Sequence, residues 1–266
     1  MYPTLFHIGP FVVHSFGVMA ALALLVPIFF AERIMRRYGR GGIAYELLAA
    51  AGIGGFAGAR VYYMLQHWGE VHGHLLSVLV SGVGLTWYGG LLGGAAAVVA
   101  WSLVRRLPLG LVANALAPAV ALGYAIGRVG CQLAGDGDYG KPSGLPWAMG
   151  YPHGTVPTPP GVLVHPTPIY EILVMVPVFI LLYRLASKPQ PPWRVFAWYL
   201  VLSGIERFLV EFLRRNPAWL LGLTGAQWFS LVSAVAGLGL LVWTRGKSPL
   251  LPLEPGSGES PRQDLG

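Results

Sequence analysis

Residues 109–131 read LGLVANALAPAVALGYAIGRVGC, and this stretch decides the class of fold. Its one charged residue is Arg128, which stands near the end of the run. About 20 apolar residues, rising 1.5 Å each, cross roughly 30 Å of hydrocarbon. The stretch therefore predicts a transmembrane helix that carries an arginine inside the membrane.

The composition of the whole chain extends this prediction. The chain is 55% hydrophobic and 11% charged, whereas soluble domains carry roughly 25% charged residues. We expect an all-α, polytopic integral membrane protein with about seven transmembrane helices. We predict a single transmembrane domain over residues 1–245 and a disordered cytoplasmic tail, rich in proline and glycine, over 246–266. The predicted spans are 12–31, 43–64, 84–104, 109–131, 168–186, 195–213 and 225–244.

The basic residues indicate the orientation. The net charge is +7, but most basic residues flank apolar runs, which is typical of membrane topology and not of a nucleic-acid-binding patch. If the spans alternate, these flanking residues share one side, which the positive-inside rule makes cytoplasmic. The N-terminus is then outside and the C-terminus inside. The flanking residues are Arg33, Arg36, Arg37, Arg40, Arg105, Arg106, Arg184, Lys188, Arg194, Arg245, Lys247 and Arg262.

Four further arginines fall within or at the edge of predicted spans, at similar depth. From the helical rise, Arg60 lies roughly 25 Å from the inner end of its span, Arg128 and Arg214 roughly 28 Å, and Arg207 roughly 18 Å. All four are in the outer half of the membrane or at its edge. A charge in hydrocarbon costs about 2.5–3.5 kcal/mol, so such residues usually face the bundle interior and pair.

Two interpretations of these arginines remain open. Arg207, Glu211 and Arg214 share one helix face, so an internal ion pair with Arg214 reaching the interface explains the trio by itself. With Arg128 and Arg60 included, the buried cations outnumber the available acids. That excess predicts an anionic ligand, and in the outer leaflet a lipid phosphate.

A glycine-rich segment begins at the outer end of the fourth span, where residues 127–140 read GRVGCQLAGDGDYG. Glycines permit positive φ and close approach of the backbone to a ligand, and the aspartates can accept hydrogen bonds from a glycerol-type head group or orient arginines. A helix C-cap followed by a turn is the simpler alternative. The calcium-loop ligand pattern is absent, so we expect no metal. The candidate binding residues here are Gly127, Gly130, Asp136, Asp138 and Gly140.

Residues 165–171, HPTPIYE, lie at the outer start of the fifth span. His165 is a candidate proton carrier. The local sequence favours a simpler interpretation, in which prolines start a helix and Glu171 is buried near its positive N-terminus.

Glycine pairs spaced by four residues predict close packing between helices. The pairs are Gly54 and Gly58, Gly89 and Gly93, Gly90 and Gly94, and Gly123 and Gly127.

Together these motifs resemble a known family, the prolipoprotein diacylglyceryl transferases. Segment 127–140 looks like the signature of that family, and the matches run in the family's order from residue 8 to about 215. The other matching groups are Ile8-Gly9-Pro10 with His14 and Gly17, Gly58-Ala59-Arg60 with Tyr63, Gly89-Gly90-Leu91, His165-Pro166-Thr167 with Tyr170-Glu171, and Arg207 with Glu211 and Arg214.

The resemblance implies a reaction and its partners. Such enzymes move the diacylglyceryl group of phosphatidylglycerol to the lipobox cysteine of a preprolipoprotein, which forms a thioether and releases glycerol phosphate. They need no cofactor and work at the outer leaflet of the bacterial cytoplasmic membrane. Arg128 and Arg207 match the essential arginines of the family, so we assign them to the phosphate. Tyr88 is a third catalytic candidate, and the substrate-binding candidates outside the glycine-rich segment are Arg60, His165, Glu211 and Arg214.

Three positions depart from the family pattern. Tyr88 stands where the family often has histidine, Cys131 where it usually has asparagine, and Phe16 where it commonly has tyrosine. Tyrosine has an ordinary pKa of about 10, so Tyr88 is a poor base unless the arginines lower its pKa. Cys131 is a weaker hydrogen-bond donor than an amide, and we expect a packed free thiol and no nucleophile.

These departures keep one alternative open, a related membrane protein that binds or transfers anionic lipid without a lipoprotein acceptor. An anion transporter is less favoured, because the buried cations stay in one half of the membrane and we find no inverted repeat. A retinal-type receptor is excluded, because the seventh span contains no lysine for a Schiff base.

Overall fold

The computed structural model describes residues 1–9, 11–71 and 86–253. In this part of the chain, helices and loops accompany one antiparallel hairpin of β1 (Thr4–Ile8) and β2 (Phe11–His14). Seven long helices and one short one follow the hairpin. They are α1 (Ser15–Arg37), α2 (Ile43–Gln66), the short α3 (Trp68–Val71), α4 (Trp87–Val104), α5 (Leu109–Ala134), α6 (Thr167–Ala186), α7 (Arg194–Glu211) and α8 (Gly225–Trp243).

The seven long helices occupy the seven predicted segments, so the all-α prediction is confirmed. The first helix begins three residues later than the predicted span, at Ser15, because residues 12–14 pair with β1. Residues 84 and 85 of the third predicted span lie outside the described part of the chain.

Four of the helices are long and apolar enough to cross a membrane: α1, α5, α6 and α8. Two of the other three long helices fall short for visible reasons, since α4 has 18 described residues and α7 carries four charged side chains. The apolar helices indicate a membrane protein. The count of seven spans stays a prediction.

The glycine pairs bring helix backbones together as predicted. A Cβ placed on Gly54 of α2 would lie 2.7 Å from the carbonyl oxygen of Gly93 on α4, so only glycine permits this approach. Gly123 of α5 packs in the same way on Ala23 of α1. Gly127 differs, because a Cβ there would meet no described atom within 4 Å. Within the described part of the chain, this glycine therefore has no close packing partner.

Helix α5 packs against α1, α6 and α7 because small residues line its contact faces. Ala115, Ala117 and Ala121 are fully buried. At its start, Asn114 donates to the carbonyl of Pro191 at 2.9 Å and accepts from the amide of Val195 at 2.9 Å. These bonds fix the start of α7 beside α5.

The basic segments of the chain lie together at one end of the bundle. The side chain of Arg37 donates to the carbonyl of Ser187, and the amide of Leu250 donates to the carbonyl of Gln190 at 2.9 Å. The amide of Leu253 donates to the carbonyl of Arg37 at 3.0 Å. The predicted tail, 246–266, therefore contacts the bundle through its first eight residues, and 254–266 lies outside the described residues.

The opposite end is closed by the long loop between α5 and α6. The amide of Lys141 donates to the carbonyl of Leu213 at 2.8 Å, just beyond α7. The amide of Tyr2 donates to the carbonyl of Leu133 at 2.9 Å, which brings the N-terminus to the end of α5. The loop, the N-terminus and the ends of α5 and α7 thus meet where the buried arginines lie.

Candidate active site

Glu171 stands at the centre of an ionic cluster. Its side chain is fully buried in α6 and binds three arginines. The Nε group of Arg128 on α5 pairs with Oε2, and the Nη1 groups of Arg207 and Arg214 pair with Oε1 at 3.2 and 3.4 Å. The hydroxyl of Tyr124 donates to Oε2 at 3.1 Å. One carboxylate thereby fixes three guanidinium groups from two other chain segments.

Asp138 is the second acid of the cluster and comes from the loop after α5. Its carboxylate pairs with Nη1 of Arg128 and Nη2 of Arg214. The hydroxyl of Thr167 donates to its backbone carbonyl at 2.6 Å, which ties the loop to the start of α6. Burial alone would raise the pKa of the Asp138 carboxyl. The two guanidinium groups outweigh burial and lower this pKa below its ordinary value.

Glu211 is the third acid and anchors the end of α7. Its Oε2 lies 2.6 Å from Nη2 of Arg207 and 3.8 Å from Nε of Arg214. Its Oε1 accepts from Asn216 at 2.6 Å and from the hydroxyl of Thr224 at 2.9 Å. The ion pair predicted from the spacing of this trio is confirmed, and it also holds the start of α8.

The charge balance corrects one interpretation of the sequence. The cluster contains three guanidinium groups and three carboxylates, so the expected excess of buried cations over acids is wrong here. The reason is that Asp138 and Glu171 reach the arginines from the loop and from α6. Arg207 is the most accessible of the three arginines, with 23% of its side chain exposed. Its described ion pairs use Nη1 and Nη2, which leaves further N–H donors of the guanidinium for a ligand.

Glu206 adds a fourth acid beside the cluster. It precedes Arg207 in α7, is 5% exposed, and its Oε1 has no hydrogen-bond partner among the described residues. The sequence interpretation selected none of Glu206, Tyr124 and Glu171 as site residues, although it predicted that Glu171 is buried at the start of its helix, as it is. A usable signal existed for two of them, because Tyr124 is one turn before Arg128 and Glu171 lies at the outer end of its predicted span.

Four predicted site side chains lie outside the ionic cluster, and Asp136 is one of them, since its Oδ1 accepts from the amide of Asp138 at 3.2 Å. Arg60 is buried on α2, where its guanidinium lies 5.4 Å from the ring centroid of Phe56. Tyr88 is 64% exposed at the start of α4. His165 belongs to the loop, and its Nδ1 lies 3.3 Å from the hydroxyl of Tyr170. Of the predicted side chains, the structure brings together those of Arg128, Asp138, Arg207, Glu211 and Arg214.

The glycines of the glycine-rich segment have different surroundings. A Cβ on Gly130 would lie 3.0 Å from that of Met19 on α1, and one on Gly140 would lie 2.9 Å from the Cβ of His165. Both positions therefore serve close packing of the chain. Gly135 ends α5 with φ of 58°, so the predicted helix C-cap is also present. Gly127 differs from these glycines, because no described atom lies within 4 Å of a Cβ placed on it.

Cys131 is buried, as expected for a packed thiol, and lies 3.8 Å from Nη1 of Arg128. Its sulfur and the carboxylates of Asp136 and Asp138 lie within 4.8 Å of one another. This arrangement is a poor cation site, because Asp138 already pairs with Arg128 and Arg214.

Comparison with known families shows which family the chain belongs to. The family model described as prolipoprotein diacylglyceryl transferase matches residues 3–243. The chain belongs to this family. The resemblance inferred from the motifs is thereby confirmed, and the match includes the cluster and all seven long helices of the transferase fold.

Several relatives named phosphatidylglycerol–prolipoprotein diacylglyceryl transferase resemble the chain over nearly its whole length. The protein from Methylobacillus flagellatus is 33% identical over 255 residues, which cover 90% of this chain and 95% of the relative. The Bordetella avium protein is 31% identical over 262 residues, covering 94% and 97%. The Polynucleobacter asymbioticus protein is 34% identical over 253 residues, covering 90% and 94%.

Proposed function

We propose that this protein transfers the diacylglyceryl group of phosphatidylglycerol to the cysteine thiol of a prolipoprotein, the first step of lipoprotein maturation. One observation carries the proposal. In a chain that belongs to the transferase family, Arg128 and Arg207 come from different helices and meet at one buried carboxylate, that of Glu171. This fixed pair of guanidinium groups suits a phosphate.

The reaction needs cations at a fixed place. The thiolate sulfur attacks the glyceryl carbon, and the carbon–oxygen bond to the phosphate breaks. The electron pair of that bond goes to the phosphate oxygen, and the proton lost by the thiol balances the new charge on the released glycerol phosphate. Donors that are already oriented stabilise such developing charge best. The carboxylates of Glu171, Asp138 and Glu211 orient the arginines before the substrate arrives.

The thiol must become a thiolate to act as the nucleophile. For this step we keep an acid and two named side chains, Tyr88 and His165, as candidates. Neither side chain belongs to the ionic cluster, so either would act on the prolipoprotein cysteine from outside it. In this proposal, Gly127, Asp136 and Asp138 contact the head group of the lipid. Arg60 contacts the lipid outside the cluster, as it approaches.

We further propose seven membrane spans within residues 1–245, in the cytoplasmic membrane of a bacterium. The basic segments around Arg37 and Arg106 would face the cytoplasm, and the cluster would lie at the outer leaflet. The N-terminus would be outside and the C-terminus inside. The lipid substrate would then reach the cluster sideways from the membrane, and the lipobox peptide would reach it from the outer face.

The test of function is thioether formation by the purified protein. Phosphatidylglycerol with a labelled diacylglyceryl group is supplied with a lipobox peptide, and the lipidated peptide is measured. A matched peptide with serine at the lipobox cysteine is the control and should gain no label. Growth of a strain that lacks its own transferase should also be restored. If phosphatidylglycerol binds but no peptide is lipidated, the proposal is wrong, and a lipid-binding protein without a lipoprotein acceptor takes its place.

A further inference from the structure

A cavity lies at the basic end of the bundle, far from the arginine cluster along the helices. It has a volume of about 380 Å³ and lies between α1 and the start of α2. Its polar lining comes from Glu32, Arg33 and Arg36, and its apolar wall includes Phe29 and Tyr45. Pockets for small ligands span roughly 300–1,000 Å³, so a lipid head group fits this volume.

Glu32 is the unusual member of this lining. It is 2% exposed, and its Oε1 accepts from Nε of Arg36 and from the amide of Gly42, each at 2.7 Å. Its Oε2 is buried and has no hydrogen-bond partner among the described residues. A buried acceptor without a donor costs free energy, and Glu32 lines the cavity, so a ligand whose donor reaches Oε2 as the exposed Arg36 side chain moves aside would remove this cost.

The two arginines give the mouth of the cavity the opposite charge. Arg33 is exposed, and 66% of the Arg36 side chain is exposed. Guanidinium groups bind phosphate through paired N–H donors. The cavity therefore combines a buried acid with two outer cations, which is the complement of a head group that carries both an ammonium and a phosphate.

The apolar wall indicates that the ligand is a membrane lipid. The rings of Phe29 and Tyr45 meet edge to face with centroids 6.4 Å apart, and Phe29 is 57% exposed. Helix α1 is apolar enough to cross a membrane, so an exposed ring on this helix suits contact with acyl chains. Charged residues that follow an apolar helix lie at the level of lipid head groups.

We propose that this cavity binds a zwitterionic phospholipid whose head group ends in a primary ammonium, as in phosphatidylethanolamine. The ammonium donates to Oε2 of Glu32, and the phosphate binds Arg33 and Arg36. A trimethylammonium head group has no N–H to donate. An anionic head group has no cation to place beside Glu32. The site is separate from the transferase cluster and does not depend on the proposed reaction.

Lipid retention measured by native mass spectrometry tests this proposal. The purified full chain is given phosphatidylethanolamine and phosphatidylcholine with the same acyl chains, in equal amounts and without phosphatidylglycerol. We expect the ethanolamine lipid to be retained with about tenfold preference, since a hydrogen bond to a charged group separates the two lipids. Equal retention of the two lipids would overturn the proposal.

Two variants test which residues cause the preference for the ethanolamine lipid. Glu32→Gln should bring the ratio of the two lipids close to one, and Arg33→Gln should weaken retention of both while the ratio stays. Arg40→Gln, in the same basic segment but outside the cavity, is the matched control and should change neither. A ratio that survives in Glu32→Gln would remove Glu32 from the site.

Two further measurements test the site even if Glu32→Gln cannot be used. If Glu32→Gln does not fold, because Arg36 and Gly42 lose an acceptor, the wild-type ratio and the Arg33→Gln result still decide. Added phosphatidylglycerol should leave the bound ethanolamine lipid in place, even though it is the proposed substrate of the other site. Displacement would assign the cavity to an anionic head group and contradict the proposal.

Discussion

The carboxylate of Glu171 on α6 accepts a hydrogen bond of 3.2 Å from Nη1 of Arg207 on α7, and the two residues are 36 positions apart in the sequence. Glu171 is fully buried, whereas 23% of the Arg207 side chain is exposed. Four side-chain donors already occupy both oxygens of this acid, whereas the arginine is within reach of a ligand. This division indicates that Glu171 positions the cations, and that Arg207 presents donors to the substrate.

Replacing Glu171 with glutamine should destabilise the protein. The variant keeps the shape of the side chain but leaves three guanidinium groups around a neutral amide. Removing one partner of a buried ion pair typically costs roughly 3–5 kcal/mol. The measurement is the midpoint of thermal unfolding in detergent, with lipid composition held fixed.

A matched control for this variant is Glu46→Gln. Glu46 pairs with Arg105 at 3.0 Å, but both side chains are substantially exposed, and exposed pairs contribute about 0–1 kcal/mol. The control midpoint should barely move. Equal effects of the two substitutions would mean that the cluster contributes no more to stability than a surface ion pair.

Glu206→Gln should behave in the opposite way. Its Oε1 is buried without a hydrogen-bond partner among the described residues, so removal of the ionisable carboxyl relieves a cost that no described contact repays. We expect an unfolding midpoint equal to that of the wild type or higher, with a gain in the free energy of unfolding of up to about 1–3 kcal/mol. A fall as large as that of Glu171→Gln would show that Glu206 balances the arginines.

Because of the ion pairs of Asp138, we expect the protein to lose stability at acidic pH. Arg128 and Arg214 lower the pKa of this carboxyl in the folded state. Its contribution is therefore fully present above the unfolded pKa, about 3.9, and is lost as the pH falls through the lower folded pKa. Asp138→Asn should be less stable than the wild type at pH 7 and should lose less stability between pH 4 and the lowest pH reached. Parallel curves for the two proteins would contradict this linkage.

The sequence predicted the long helices well, because length and hydropathy depend on local composition. It also placed Arg128, Arg207 and Arg214 in the same half of their predicted spans, since the helical rise sets the position of each residue along its helix. Arg60 shows the limit of that argument. It shares the estimated depth, but α2 packs on α4 through its glycines, and the guanidinium lies over Phe56.

Glu171 shows the other limit. Its sequence context, a proline-rich helix start, favoured a simple buried acid. Its partners Arg128 and Arg207 are distant in sequence and become neighbours only through the packing of α5 and α7 beside α6. Rotation of each helix about its own axis decides such contacts, and neither depth nor spacing within one helix specifies that rotation.

Glu211→Ala should harm folding more than chemistry. The acid holds Arg207 at 2.6 Å and the hydroxyl of Thr224 at 2.9 Å, so it joins the end of α7 to the cap of α8. Its loss leaves a buried cation with fewer partners, at a cost of several kcal/mol. The unfolding midpoint in detergent is the measurement. An unchanged midpoint with lost turnover would make Glu211 a catalytic residue instead.

Arg128→Lys and Arg207→Lys test the proposed role of the arginines at the lipid phosphate. Lysine keeps the positive charge but loses the planar pair of donors. Both variants should fold and insert, because the carboxylates of the cluster retain cationic partners. Loss of one donor at a developing anion typically lowers the rate by about 10²–10³, so turnover with phosphatidylglycerol should fall by that order.

Separate measurements on the two substrates distinguish this role from a structural one. The lipobox peptide should still bind both variants, because the phosphate belongs to the lipid. Arg184→Lys, an exposed arginine at the basic end of α6, is the matched control and should keep wild-type turnover. Turnover and peptide binding are measured separately for each protein. Near-normal turnover in both cluster variants would return Arg128 and Arg207 to the status of structural charges, held by Glu171 for the stability of the bundle alone.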